Sequence, residues 1–83
     1  MLNILYFASF REMLGQAEEQ INAENFSTVN CLINTLAERG EQWQQALKDN
    51  VNLQIAVNQN IATRQTALKK GDEIAFFPPV TGG

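Results

Sequence analysis

The chain has 83 residues, 45% of them hydrophobic and 18% charged, with nine acids against six bases and a net charge of −3. A chain this short forms one domain with a single core and no deep cleft between lobes. It contains no histidine and one cysteine, Cys31, which excludes the commonest general base, every Ser-His or Cys-His nucleophile pair and an internal disulfide.

Residues 2–8, LNILYFA, are short, apolar and β-prone, and read as a strand. The longest apolar run, Ile4 to Ala8, falls far short of the ~20 residues that span a bilayer. No basic segment precedes it, so no secretory signal is expected. A cytoplasmic protein with no membrane partner is the expectation. Residues 9–15, SFREMLG, read as a loop or one helical turn ended by Gly15, and residues 17–23, AEEQINA, as a weaker strand hairpinned onto the first.

Ser27 suits the N-cap of a helix over 28–39, with Val29, Leu32, Ile33 and Leu36 on one face and Gly40 at its C-terminus. Residues 41–48 read as a second short helix with Trp43 and Leu47 on its apolar side. LQIAVN, residues 53–58, alternates strictly and gives the clearest strand. Asn58-Gln59-Asn60 is a turn, 61–66 a weak strand or extended loop, and Lys69-Lys70-Gly71-Asp72 a second turn. The basic residues cluster nowhere beyond Lys69–Lys70, so no nucleic-acid partner is expected. EIAFF, residues 73–77, is the last strand.

Strands before and after a helix imply an α+β domain over 1–77, a mixed sheet with the main helix on one face. In this β-grasp arrangement the first and last strands lie parallel in mid-sheet. Side chains alternate across a strand. If Ile4, Tyr6, Ile74 and Phe76 face the helix, Leu5, Phe7 and Phe77 lie on the open face. Either the 41–48 helix or a loop covers them, or they form a partner-binding patch, which Ile61 would extend.

The chain closes on FFPPVTGG, with no charged side chain after Glu73. Neither Pro78 nor Pro79 has an N–H for a central ladder, so residues 78–83 are expected to project as an extended tail. Six residues reach about 20 Å at ~3.3 Å each. The tip, Val80-Thr81-Gly82-Gly83, ends without side-chain bulk and suits a narrow tunnel in another protein. The reactive group is then the backbone carboxylate of Gly83. A carboxylate resists substitution; adenylation by ATP makes it a mixed anhydride, from which a sulfur donor displaces AMP to leave a thiocarboxylate. No Gly-rich phosphate loop or Cys cluster occurs, so this chain is expected to bind no cofactor, and the ATP belongs to an activating partner.

MLNILYFASFREMLG, AVNQN and GDEIAFFPPVTGG closely resemble the small subunits of molybdopterin synthase, ubiquitin-like β-grasp sulfur carriers, over Met1 to Gly83. The resemblance implies a non-catalytic subunit. Gly83 would be adenylated by an enzyme related to ubiquitin-activating enzymes, thiocarboxylated, and inserted with Pro78, Pro79, Val80, Thr81 and Gly82 into the large synthase subunit. There it would give sulfur to cyclic pyranopterin monophosphate, two rounds building the dithiolene that later holds molybdenum. The resemblance also implies an elongated heterotetramer and a partner surface of Phe7, Arg11, Ile61 and Phe77. Carriers for thiazole or tRNA thiolation, a ubiquitin-like modifier of lysines, and a plain binding module with an unreactive tail are the alternatives. Cys31, nearly opposite the helix's apolar face, reads as an incidental thiol with nothing to lower its pKa; Arg11 reads equally as a solvated charge or an interface ion pair.

Overall fold

A computed structural model of the chain describes residues 1–79. Its strands β1 (Leu2–Tyr6), β2 (Glu18–Ile21), β3 (Gln54–Val57), β4 (Asn60–Ala62) and β5 (Glu73–Phe77) form one sheet in the order β2-β1-β5-β3-β4. β1 and β5 run parallel at its centre, in register from Asn3↔Glu73 to Tyr6↔Phe76, and every other pairing is antiparallel. Parallel neighbours need a crossover, and here everything between residues 7 and 72 supplies it. That chain includes α1 (Ser9–Leu14), α2 (Val29–Ala37) and α3 (Glu41–Trp43), the last continued by a π-helical stretch, Gln44–Lys48.

One face of the sheet carries the core. Leu2, Ile4 and Tyr6 of β1 and Ile74 and Phe76 of β5 are buried against Val29, Leu32, Ile33 and Leu36 of α2. The 41–48 segment adds Ala46 and Leu47 to this same core. Trp43 meets Tyr6 edge-on at 5.5 Å. The second helix therefore lies on the α2 side and does not cover the opposite face of the sheet. Beneath this layer Glu19 ties elements together. It takes both arms of Arg39 at 2.7 and 2.8 Å and the Tyr6 hydroxyl at 2.7 Å, while the Arg39 guanidinium lies 4.7 Å from the Trp43 ring centre. Burial opposes the charged form of Glu19, but hydrogen bonds from Arg39 and Tyr6 outweigh it and hold the carboxyl below its usual range.

The boundaries of α2 differ from the expectation for a physical reason. Thr28, not Ser27, is the N-cap, its hydroxyl accepting from the Cys31 N–H at 3.3 Å. The Val29 and Asn30 N–H groups donate to the carbonyls of Thr66 and Arg64. Residues 63–68 thus turn away from the sheet to satisfy helix donors that would otherwise be orphaned, and β4 stops at Ala62 instead of running to 66. At the other end the helix closes at Ala37 with Glu38, Arg39 and Gly40 bonding three residues back. Gly40 starts the next helical segment, its carbonyl accepting from Gln44. The π stretch is closed by Asp49 N–H on Gln44 O at 2.8 Å, and Arg64 reaches in to donate to the carbonyls of Leu47 and Asn50, 2.8 Å each.

The β3–β4 turn has Asn58 and Gln59 both at positive φ, 52° and 69°, the pairing whose twist suits a two-residue hairpin. Asn58 also clasps the start of β5. Its N–H donates to Glu73 O at 2.8 Å and its Oδ1 accepts from Glu73 N–H at 3.0 Å. Its Nδ2 donates to the buried Asp72 carboxylate at 2.9 Å, whose other oxygen accepts from Lys69 N–H at 2.7 Å. The Asn58 hydrogen bond, helped by the Lys69 N–H and against some burial, holds the Asp72 carboxyl below its usual range.

Replacing Asn58 by Ala leaves the Glu73 N–H and one Asp72 oxygen without their partner and should cost about 1–3 kcal/mol. Thermal unfolding should register it at about 4–8 °C per kcal/mol for a domain of this size. A depressed carboxyl stabilises the fold above its unfolded pKa and loses that contribution as pH falls through the folded value. An Asp72→Asn variant should therefore lose less of its own stability than the native chain when thermal unfolding is followed from neutral pH into acid.

Candidate functional site

Alternation along β1 and β5 places Leu5, Phe7, Ala75 and Phe77 on the face away from α2. With Ala56, Gln59 and Glu73 they line a shallow cleft of about 440 Å³. The Phe7 and Phe77 rings stack in parallel at 4.6 Å, 10° from coplanar. Phe7 remains 40% exposed despite that stack. Ile61 lies opposite Ala56 in the β3–β4 ladder and is 96% exposed. Three of the four candidate partner residues, Phe7, Ile61 and Phe77, thus share one face. Arg11 does not line the cleft; it is exposed on α1, just past Phe7. Leu5, Ala56 and Ala75 complete the apolar floor, and the period-2 pattern was the signal for them.

A strained turn leads out of the patch. Ala8, between β1 and α1, has φ 55° and ψ −132°, a region that a side chain rarely adopts. The Phe10 N–H donates to Phe7 O at 3.2 Å across it, while Phe7 N–H continues the parallel ladder onto Phe76 O at 3.2 Å. Phe7 is thereby held over Phe77 while Phe10 is turned into the core. Substituting Ala8 by Gly should relieve the strain and stabilise the domain by about 1 kcal/mol, seen as a raised melting temperature.

β5 ends at Phe77, paired with Gln54, and Pro78 and Pro79 follow directly, both half-exposed. The expected tip, Val80, Thr81, Gly82 and Gly83, lies outside the described residues. Among the described residues no helix is long and apolar enough to cross a membrane.

Cys31 departs from expectation. The Thr28 hydroxyl donates to its sulfur at 3.4 Å, and the Ser27 hydroxyl lies 3.6 Å from it. These contacts, Thr28 first, bring the thiol pKa down to about 7. The capping residues that start α2 are the cause, and they sit on the α2 side of the sheet, opposite the cleft.

Against this geometry stands a comparison with known proteins. The ThiS family model matches residues 4–83. The chain belongs to the ThiS family. Within that family it is 45% identical, over the whole of both chains, to a molybdopterin synthase sulfur carrier subunit of Haemophilus influenzae. Among solved structures it resembles a putative molybdopterin converting factor subunit 1 of Pyrococcus furiosus, 32% identical with a TM-score of 0.77 over 95% of this chain and 97% of that one. It also resembles a chain of the Helicobacter pylori complex of subunits 1 and 2 of molybdopterin-converting factor, 25% identical with a TM-score of 0.67 over 99% and 97%. The mixed sheet and helix layer are the ubiquitin-like β-grasp of this ThiS-family chain.

Proposed function

We propose that this chain is the sulfur-carrier subunit of a molybdopterin synthase, a donor subunit and not a catalyst on its own. One observation carries the reading: a bare aromatic face and a Pro-Pro-led Gly-Gly terminus are both mounted on β5, the central strand of the sheet. Full-length likeness to a sulfur carrier subunit supports it.

The Gly83 carboxylate attacks ATP held by a ubiquitin-activating-enzyme-like adenylyltransferase, and pyrophosphate leaves. A sulfide-level donor then attacks the carbonyl carbon. A C–S bond forms, the C–O bond to AMP breaks, and a thiocarboxylate remains. The open face, through Phe7, Phe77 and Ile61 with Arg11 beside them, docks on the large subunit. Pro78 to Gly82 carry the thiocarboxylate to a pterin precursor held there. Pairing to both β1 and β3 anchors the strand from which the tail starts.

Intact mass after incubation with ATP, the activating enzyme and a sulfur donor tests this. Exchange of one oxygen for sulfur is expected; isopeptide adducts on lysines would instead identify a protein modifier, and an unchanged mass a plain binding module. Deleting Gly83 should abolish the exchange with the melting temperature unaltered, and Cys31→Ser should leave it intact. Adding the large subunit and pterin precursor should yield dithiolene; failure there with thiocarboxylate formed would point to thiazole or tRNA thiolation. Truncating Phe7 or Phe77 to Ala should weaken binding to the large subunit by about 1.5–3 kcal/mol each, measured by calorimetry.

A further inference from the structure

At the end of the cleft away from the aromatic pair, the wall holds a carboxylate, Glu73, whose role the apolar character of the face does not explain. Its backbone is locked by the Asn58 clasp and by pairing with Asn3, so its stance is set by the sheet. The residue is half-buried, yet among the described residues its carboxylate has no hydrogen-bond donor and no cation within ion-pair distance. The ion pair found among those residues, Arg39–Glu19, belongs to the opposite face. The strands add a second carboxylate to the open face, Glu18, directly across from Leu5, and contribute no lysine or arginine to it.

The face therefore carries stacked aromatics at the Phe7–Phe77 end, Glu73 at the Asn3 end of the central strands, and Glu18 on β2 level with Leu5, both acids without a counter-charge among the described residues. A partner that covers the aromatics draws water away from Glu73. A carboxylate desolvated without a counter-charge is costly, and an acid brought up to it adds repulsion. A second copy of this chain meets that penalty, because its open face presents the same acids. A partner with a cation at that spot escapes it and gains a short charged hydrogen bond.

We propose that Glu73 selects the partner of the open face, admitting a large synthase subunit that sets a lysine or arginine beside its apolar patch. This rests on the carrier reading above. Specificity then comes from rejection as much as attraction, since equally apolar surfaces lacking the cation are turned away.

The test is binding of the full chain to the large subunit, by calorimetry and stopped flow, for the native protein, Glu73→Gln, Glu73→Lys and Phe7→Ala. Glu73→Gln should bind about tenfold or more weakly and Glu73→Lys weaker still. Native association should slow as salt rises, and the Gln variant should show a shallower salt dependence. Melting temperatures should match the native one, because the carboxylate makes no bond in the fold. If Phe7→Ala weakens binding while Glu73→Gln binds as tightly as native or tighter, the selection role is overturned and the carrier reading stands. Absence of binding by the native chain overturns both.

Discussion

The parallel pairing of β1 with β5 is the constraint from which the rest of the molecule follows. It brings the first and last strands together at the centre of the sheet, so the intervening chain must cross over and can cover only one face. α2 and the 41–48 segment both cross on the same side and bury Leu2, Ile4, Tyr6, Ile74 and Phe76. The alternate residues of the same two strands are left to the other side. Core and cleft are thus two consequences of one pairing, and a slip of one residue would exchange them.

The same pairing accounts for where local irregularities gather. Strain at Ala8 lies where β1 must end and turn its next aromatic, Phe10, into the core while Phe7 stays over Phe77. The positive-φ pair Asn58–Gln59 lies where the β3 hairpin must meet the start of β5. Each device acts at one end of a central strand, and each sets the position of a residue on the open face, Phe7 in one case and Glu73 in the other. Pro78 and Pro79 follow β5 directly and start from the same frame.

Charge divides along the same plane. On the covered side, Glu19 is matched by Arg39 and Tyr6 within hydrogen-bond distance, which makes a half-buried acid part of the architecture. On the open side Glu73 and Glu18 meet no such partner among the described residues. In the proposed function the reactive group is the chain's own terminus and other proteins do the chemistry on it; an apolar face with unpaired charge is then the means by which such proteins would be told apart.

Much of this was legible in the residues. Alternation in LQIAVN and EIAFF and the 3.6-residue spacing of Val29, Leu32, Ile33 and Leu36 were enough to place the strands, the main helix and the two sets of side chains that share a face, because periodicity is a local property. What was not legible depended on contacts distant in sequence. The loop 63–68 forsakes the sheet to serve the N–H groups of α2; Gly40 ends the turn after α2 and also opens the next helical segment; Thr28 and Ser27 converge on Cys31 and lower its pKa. The side on which residues 41–48 pack was equally open, since an apolar stripe shows that a helix is covered but not by what. The chain alone determined which side chains share a face and, having no histidine, which side-chain chemistry it lacks. Only the tertiary structure decided which face stays uncovered and which charges go unmatched, because both depend on what the rest of the chain brings alongside.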